Sequence, residues 1–297
     1  MKNAAQWIGY ALFALFLFAL FLFYQFPYEQ FQDRLFALLE RRTGYSFSTT
    51  SLKPDLFPPL GFVASDFNIQ EGTRPAPVKG LFPLAFPILT ARFSLLSYLF
   101  GKANVSMAGE TLGGNLSLHA SLDRTLSELS QFQCKAENLK LEDLAFSAEG
   151  TLSGVLSGNL QLSGDLNDMR SVIGHLDVAF QRLRTTKFAL MNFPFPQLNI
   201  GDLSLNADLS QGKFVIKKLN IGDPEKDLVA EASGSIKIEK DVPSSPLDLR
   251  VKFKFSDALA KEFDIFMPLL APSQTPEGYF AYHITGTLGR PLPTPER

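Results

Sequence analysis

This sequence predicts a mainly β protein carried on one N-terminal transmembrane helix, and three observations predict it. From Ala103 onward, apolar and polar residues alternate with a period of two, the pattern of strands with one dry and one wet face. Short glycine-containing links separate the runs. Links that short join antiparallel neighbours, because a parallel pair needs a crossover of about a dozen residues or more. Ahead of all this, Trp7 to Tyr24 forms an 18-residue stretch without a charge or a strongly polar side chain.

As a helix, that stretch rises roughly 27 Å, close to the roughly 30 Å hydrocarbon core of a bilayer. Trp7, Tyr10 and Tyr24 bracket it where amphipathic rings sit, at the two interfaces, and Phe16 and Phe21 fill it. A cleaved signal is shorter and ends in a small-x-small site. Here the exit reads FLFYQFPYEQ, with no small residue, so the anchor is expected to be retained. Residues 1–6 then lie in the cytoplasm, 7–24 span the membrane, and 28–297 form a domain on the far side.

Within that domain, residues 28–43 place Phe31, Leu35, Leu38, Leu39 and Arg42 at helical spacing, with Gly44 to end the helix. This amphipathic helix is expected to cap one end of a sheet through Phe31, Leu35 and Leu39. Residues 45–102 form a Pro-rich lead-in whose strands should be short or at an edge, because proline removes a ladder donor. Residues 94–102, SLLSYLFGK, read as a turn closed by Gly101 and packed on the sheet.

Residues 103–297 carry the antiparallel strands, about 12 to 15 of them by pattern. LDLRVKFKF is the clearest: Leu247, Leu249, Val251, Phe253 and Phe255 face one way, and Asp248, Arg250, Lys252 and Lys254 the other. Turns are expected at Gly113–Gly114, Ser153–Gly154, Ser157–Gly158, Ser163–Gly164, Gln211–Gly212, Gly222–Asp223–Pro224 and Ser233–Gly234. One late helix, residues 257–270, should open on Ser256 or Asp257 and stop at Pro268. A meander this long, with one apolar face and almost no helix to cover it, must curl into a groove, fold as a sandwich or form an open barrel. An apolar groove of this kind would suit phospholipid acyl chains.

A hydrophobic content of 45% and a net charge of −2 describe a folded chain, and no Lys/Arg-rich run supplies the phosphate neutralisation that nucleic acid binding needs. The single cysteine, Cys134, excludes an internal disulfide and suits a bacterial periplasmic protein better than a disulfide-stapled ectodomain. His119, His175 and His283 fall on separate strands without metal-ligand spacing, so no metal or other cofactor is expected. Nucleophile elbow, phosphate loop and zinc helix motifs are all missing, and catalytic residues are expected to be none. Asp165, Asn167 and Asp168 lack the regular spacing of a calcium loop and read as a strand-ending turn.

Several segments also carry a resemblance. FALLERRTGYSFSTTSLKPDLFPPLGFVASDFNI resembles the start of AsmA-like proteins and of the type II secretion system protein N (GspN) family. FSLLSYLFGKANVSMAGETLGGNLSL is similar to the protein N pattern of a Leu-rich turn, a Gly-Lys, a strand and a Gly-Gly hairpin. LNIGDLSLNADLSQGKFVIKKLNIGDPEKDLVAEASGSIKI looks like the hairpin unit shared by both families, and PEGYFAYHITGTLGRPLPTP like their Gly-Thr-Leu-x-x-Pro close. The resemblance implies a single-pass inner-membrane protein with a periplasmic β-rich domain, a non-enzymatic accessory of type II protein secretion whose partners are membrane lipid and other secretion proteins. Its alternative implication is an AsmA-like lipid-binding or lipid-transfer role.

Overall fold

The alternating stretches form one open antiparallel sheet in the computed structural model, neither a sandwich nor a closed barrel. The structure describes residues 10, 13–14, 17, 28–55, 60–72, 84–123, 128–143, 151–165, 168, 170–186, 188–190, 193–195, 197–239, 241–264 and 267–296. Helix α1 (Tyr28–Thr43) leads into β1 (Tyr45–Ser48), β2 (Ser51–Asp55), β3 (Leu60–Glu71) and β4 (Leu84–Phe93). A short helix, α2 (Leu95–Leu99), turns the chain into β5 (Lys102–Thr111), β6 (Gly114–Asp123), β7 (Glu128–Lys140), β8 (Thr151–Asp165) and β9 (Ile173–Thr186). After β10 (Phe188–Leu190) and β11 (Phe193–Phe195), which form a two-stranded sheet of their own, come β12 (Leu198–Ser210), β13 (Lys213–Ile221), β14 (Leu228–Lys237) and β15 (Leu247–Phe255). Helices α3 (Asp257–Glu262) and α4 (Met267–Leu270) precede β16 (Phe280–Thr287) and β17 (Arg290–Pro295).

Fifteen strands share one sheet, and neighbours along the chain are neighbours in space. The first edge is a single strand in two halves. β1 and β2 both pair with β3 in one continuous register, interrupted at Thr49 and Thr50. Among the described residues, no ladder joins β17 to β1 or β2.

The strands of the lead-in are longer than their prolines suggest. β3 has 12 residues and β4 has 10. Pro54 lies on the edge strand β2, where a missing donor is harmless. Pro87 lies inside β4, but pairing of β4 with β5 begins only at Leu89, so Pro87 meets no partner on that side. Opposite it, the β3–β4 ladder steps over Asp66, whose φ of 50° takes up the kink.

Four expected glycine turns lie inside strands instead. Ser153–Gly154, Ser157–Gly158 and Ser163–Gly164 belong to β8, and Ser233–Gly234 belongs to β14. These glycines serve close backbone approach. A Cβ on Gly234 would stand 2.1 Å from the Asp248 carbonyl oxygen, and φ there is +139°, a conformation that L side chains rarely adopt. Two real hairpin turns are Leu112–Gly113 and Gln211–Gly212, in which both residues have positive φ, as a type I′ turn requires.

The late helix also departs from expectation, because two short helices replace one. Ser256 caps α3 as expected, its Oγ accepting from the Leu259 N–H at 3.2 Å. Pro268 falls at the second position of α4, where no intrahelical donor is needed, so it begins a helix and does not stop one.

The far edge of the sheet is guarded by its own chemistry. The Glu296 N–H donates to the Ala281 carbonyl at 3.0 Å, which fixes which residues of β17 turn toward β16. By alternation, residues 291, 293 and 295 turn their backbone nitrogens outward, and all three are proline. That edge therefore offers carbonyls but no donors to an approaching strand. Replacing Pro291, Pro293 and Pro295 together by threonine should restore the outward donors. Sedimentation of the full chain in detergent is then expected to show concentration-dependent association absent from the parent; unchanged sedimentation would mean that something other than proline protects the edge.

Candidate functional site: the apolar face of the open sheet

Register places every expected apolar run on the same face. Met107, Leu118, Cys134 and Leu160 follow one another across β5 to β8. Leu160 then faces Leu176 on β9, which faces Ala207 on β12. A parallel row starts at Leu203 of β12 and runs through Ile221, Ala230 and Phe253 across β13 to β15. Residues of this face are mostly only partly buried, and in β15, with its strictly alternating pattern, the polar residues between them are exposed. Among the described residues, the face is thus covered by its own neighbours and by no second sheet layer.

Bulges and kinks keep the face continuous. Wherever two apolar residues are three apart instead of two, the ladder slips or the backbone kinks. The ladder slips at Leu129/Phe132, Ala136/Leu139, Phe180/Leu183 and Ile216/Leu219, whereas at Ala64/Phe67 and the facing Phe86/Leu89 both strands step over one residue and the register is unchanged. Asn138 and Arg182 take positive φ within two of these sites. Each extra residue restores the phase, and each bulge adds local twist and bend.

Both ends of the face are capped. At the first, Phe36 of α1 meets Phe47 and Phe67 at ring distances of 6.3 and 5.9 Å, over a core of Ala64, Phe67, Phe86 and Leu89. The helix thus caps the sheet as expected, with Phe36 as its contact to this core; Leu35 and Leu39 are half-buried, and the Phe31 side chain lies outside the described set. At the other end, Phe253, Phe255, Phe263, Phe280 and Tyr282 form one aromatic cluster, with Phe263 stacked on Phe255 at 5.6 Å. Between the caps lie β6 to β14, with no covering helix among the described residues.

Of the anchor residues read from sequence, Tyr10 is helical and exposed, while Trp7, Phe16, Phe21 and Tyr24 lie outside the described residues. Among the described residues, no helix is long and apolar enough to cross a membrane. Cys134 sits on the apolar face, and burial pushes its pKa up, which keeps the thiol protonated. Asp168 holds a strand-ending turn: its Oδ1 accepts from the Arg170 N–H at 3.0 Å and its carbonyl from the Ser171 N–H at 2.9 Å. Asn167 lies outside the described residues, and the described ones contain no group of three potential metal ligands.

The opposite face carries a polar network that sequence reading missed, because its members are far apart in the chain. His175 Nδ1 lies 2.7 Å from Asp208 Oδ1 and Nε2 lies 2.6 Å from Asp177 Oδ2. Asn206 Nδ2 donates to Asp177, and Lys217 Nζ lies 2.6 Å from Asp208 Oδ2. Lys217 is the extra residue of the β13 bulge, which turns it toward this face. Period-two spacing and register together bring Asp208 opposite His175 and Asn206 opposite Asp177. His283 has its own partner, Asp248, at 2.6 Å.

Hydrogen bonds to Asp208 and then Asp177 raise the His175 pKa above 6.5. Asn206 first lowers that of Asp177, and Lys217 followed by His175 lowers that of Asp208. The histidine's contribution to stability is therefore complete below its unfolded value and fades as pH rises through its raised folded value. The carboxylates' contributions are complete above their unfolded values and fade as pH falls through their depressed ones. Thermal melts of His175→Asn should fall furthest below the parent in mildly acid buffer, between these two limits, and converge with it in alkaline buffer; a pH-independent difference would mean that the histidine acts only by packing.

No protein-family model, curated protein or solved structure matches this chain.

Proposed function

We propose that this chain is a non-enzymatic accessory of bacterial type II protein secretion, of the GspN kind, anchored in the inner membrane by Trp7 to Tyr24 with its sheet in the periplasm. The observation that carries the reading is the open 15-stranded meander with one continuous apolar face. An AsmA-like chain would have this architecture, and the segments resembling protein N run through it in order, from α1 to β17. Deleting the gene, or only residues 7–24, should leave secreted proteins trapped in the periplasm; a deletion strain with normal extracellular protein would remove the assignment.

A second reading, AsmA-like lipid handling, is favoured by the uncovered stretch between the two aromatic caps. An acyl chain gains about 0.8 kcal/mol for each methylene buried. About a dozen methylenes laid on the face would offset the several kcal/mol lost on association. In cells fed a photoactivatable fatty acid, illumination should crosslink lipid to peptides containing Leu160, Leu176 or Leu219, and Leu160→Asp should abolish the product. Crosslinks confined to the N-terminal segment would count against lipid on the apolar face.

A further inference from the structure

The connection between β4 and β5 rests on β5 as expected, but its tip stands in solvent. Leu99 is 72% and Phe100 82% exposed, with Tyr98 at 40% beside them and exposed Lys102 beyond the turn. Two consecutive large apolar side chains in water need an explanation, and looseness does not supply one. The Ser94 N–H donates to the Asn104 carbonyl at 3.0 Å, and Ser94 Oγ and Ser97 Oγ lie 2.8 Å apart. Asn104 Nδ2 donates to Ser97 Oγ at 2.9 Å, and the Tyr98 ring leans on Phe93 at 5.8 Å. Gly101, at φ +88°, then returns the chain to the sheet. This polar base spends the inward-facing groups of the turn on the sheet and holds Leu99 and Phe100 outward.

The position of the tip matters as much as its chemistry. α1 ends at Gly44, beside the start of β1, and touches β2 as well as β1, so it lies back along the edge strand. The end of β2 stands beside the base of the tip, where Asp55 pairs with Arg92 at 3.1 Å. The start of α1 is therefore directed toward the end of the sheet that bears Leu99 and Phe100.

We infer that the 98–102 turn is a membrane-contact tip: Leu99 and Phe100 enter the acyl boundary of a lipid bilayer, with Tyr98 and Lys102 at headgroup level. Aromatic and cationic residues flanking an apolar pair are the chemistry of that interface. The inference rests on the reading of Trp7 to Tyr24 as an anchor, which would hold the sheet within reach of the bilayer. The sheet would then meet the membrane at two places and take a fixed orientation on it.

The test uses the full chain with Cys134→Ala, in vesicles of phosphatidylethanolamine and phosphatidylglycerol. A polarity-sensitive fluorophore is attached at Phe100→Cys, at Leu99→Cys, or at Leu269→Cys on α4, an exposed site at the opposite ends of the strands. Lipids brominated in the acyl chain should quench positions 99 and 100 several-fold more than position 269. Quenching at 99 and 100 no greater than at 269, in chain that resists an alkaline carbonate wash, overturns the tip and leaves the anchor standing. A blue-shifted probe without bromolipid quenching also overturns it, because a protein surface then covers the turn. Chain released by the wash overturns the anchor, and quenching in the unwashed vesicles still decides the tip.

Discussion

One ladder and one dry face constrain everything else in this molecule. Fifteen strands are hydrogen-bonded in chain order, so each strand's register fixes the next, and a slip of one residue anywhere would turn a whole strand's apolar set into water. Buried core in the usual sense is confined to small clusters such as Ala64, Phe67, Phe86 and Leu89. Elsewhere the apolar residues are sheltered mainly by cross-strand neighbours. Such pairs contribute roughly 0.2–1 kcal/mol each, so stability must come from their number and from the unbroken phase of the face.

That phase was largely legible in the sequence. The alternation in Leu247 to Phe255 or Leu203 to Leu209 reads directly as a strand with an inner and an outer side, and the structure places them so. Less obvious is that the irregularities are legible too. A step of three between apolar residues, as from Ala136 to Leu139 or from Ile216 to Leu219, looks like a break in the strand, but the structure shows a bulge with the strand continuing. In a sheet of this kind, a step of three marks a bulge or a kink in a strand that continues, and a glycine pair marks a turn only when the apolar phase also ends there.

The glycines of β8 and β14 show why local rules were insufficient. Ser153–Gly154 and Ser233–Gly234 have the composition of turns, but their role is set by a carbonyl on the neighbouring strand that no local window contains. Pro87 misleads in the opposite direction, since it seems to end β4 but falls where β5 has not yet begun to pair. The polar network around His175 was hidden for the same reason. Its members span positions 175 to 217, and only the register and the bulge at Lys217 bring them together. The apolar face could be read because each strand announces its own side; the network could not, because it exists only between strands.

The two apolar features of the chain are similar in length but opposite in consequence. The seven strands of the main sheet from β6 to β14, at about 4.8 Å spacing, span roughly 30 Å, comparable to the hydrocarbon thickness of a bilayer and to the rise of the Trp7–Tyr24 stretch as a helix. A helix satisfies its backbone groups internally and can lie in lipid on all sides. An open sheet cannot, because its edge strands carry unpaired backbone groups and its other face carries Asp177, Asp208, Lys217 and their neighbours. The sheet is therefore held to water while its inner face favours apolar matter, and the aromatic clusters at its ends confine that preference to the middle strands. Among the described residues, the middle strands between the aromatic clusters are therefore where the dry face is least covered and best able to hold apolar matter.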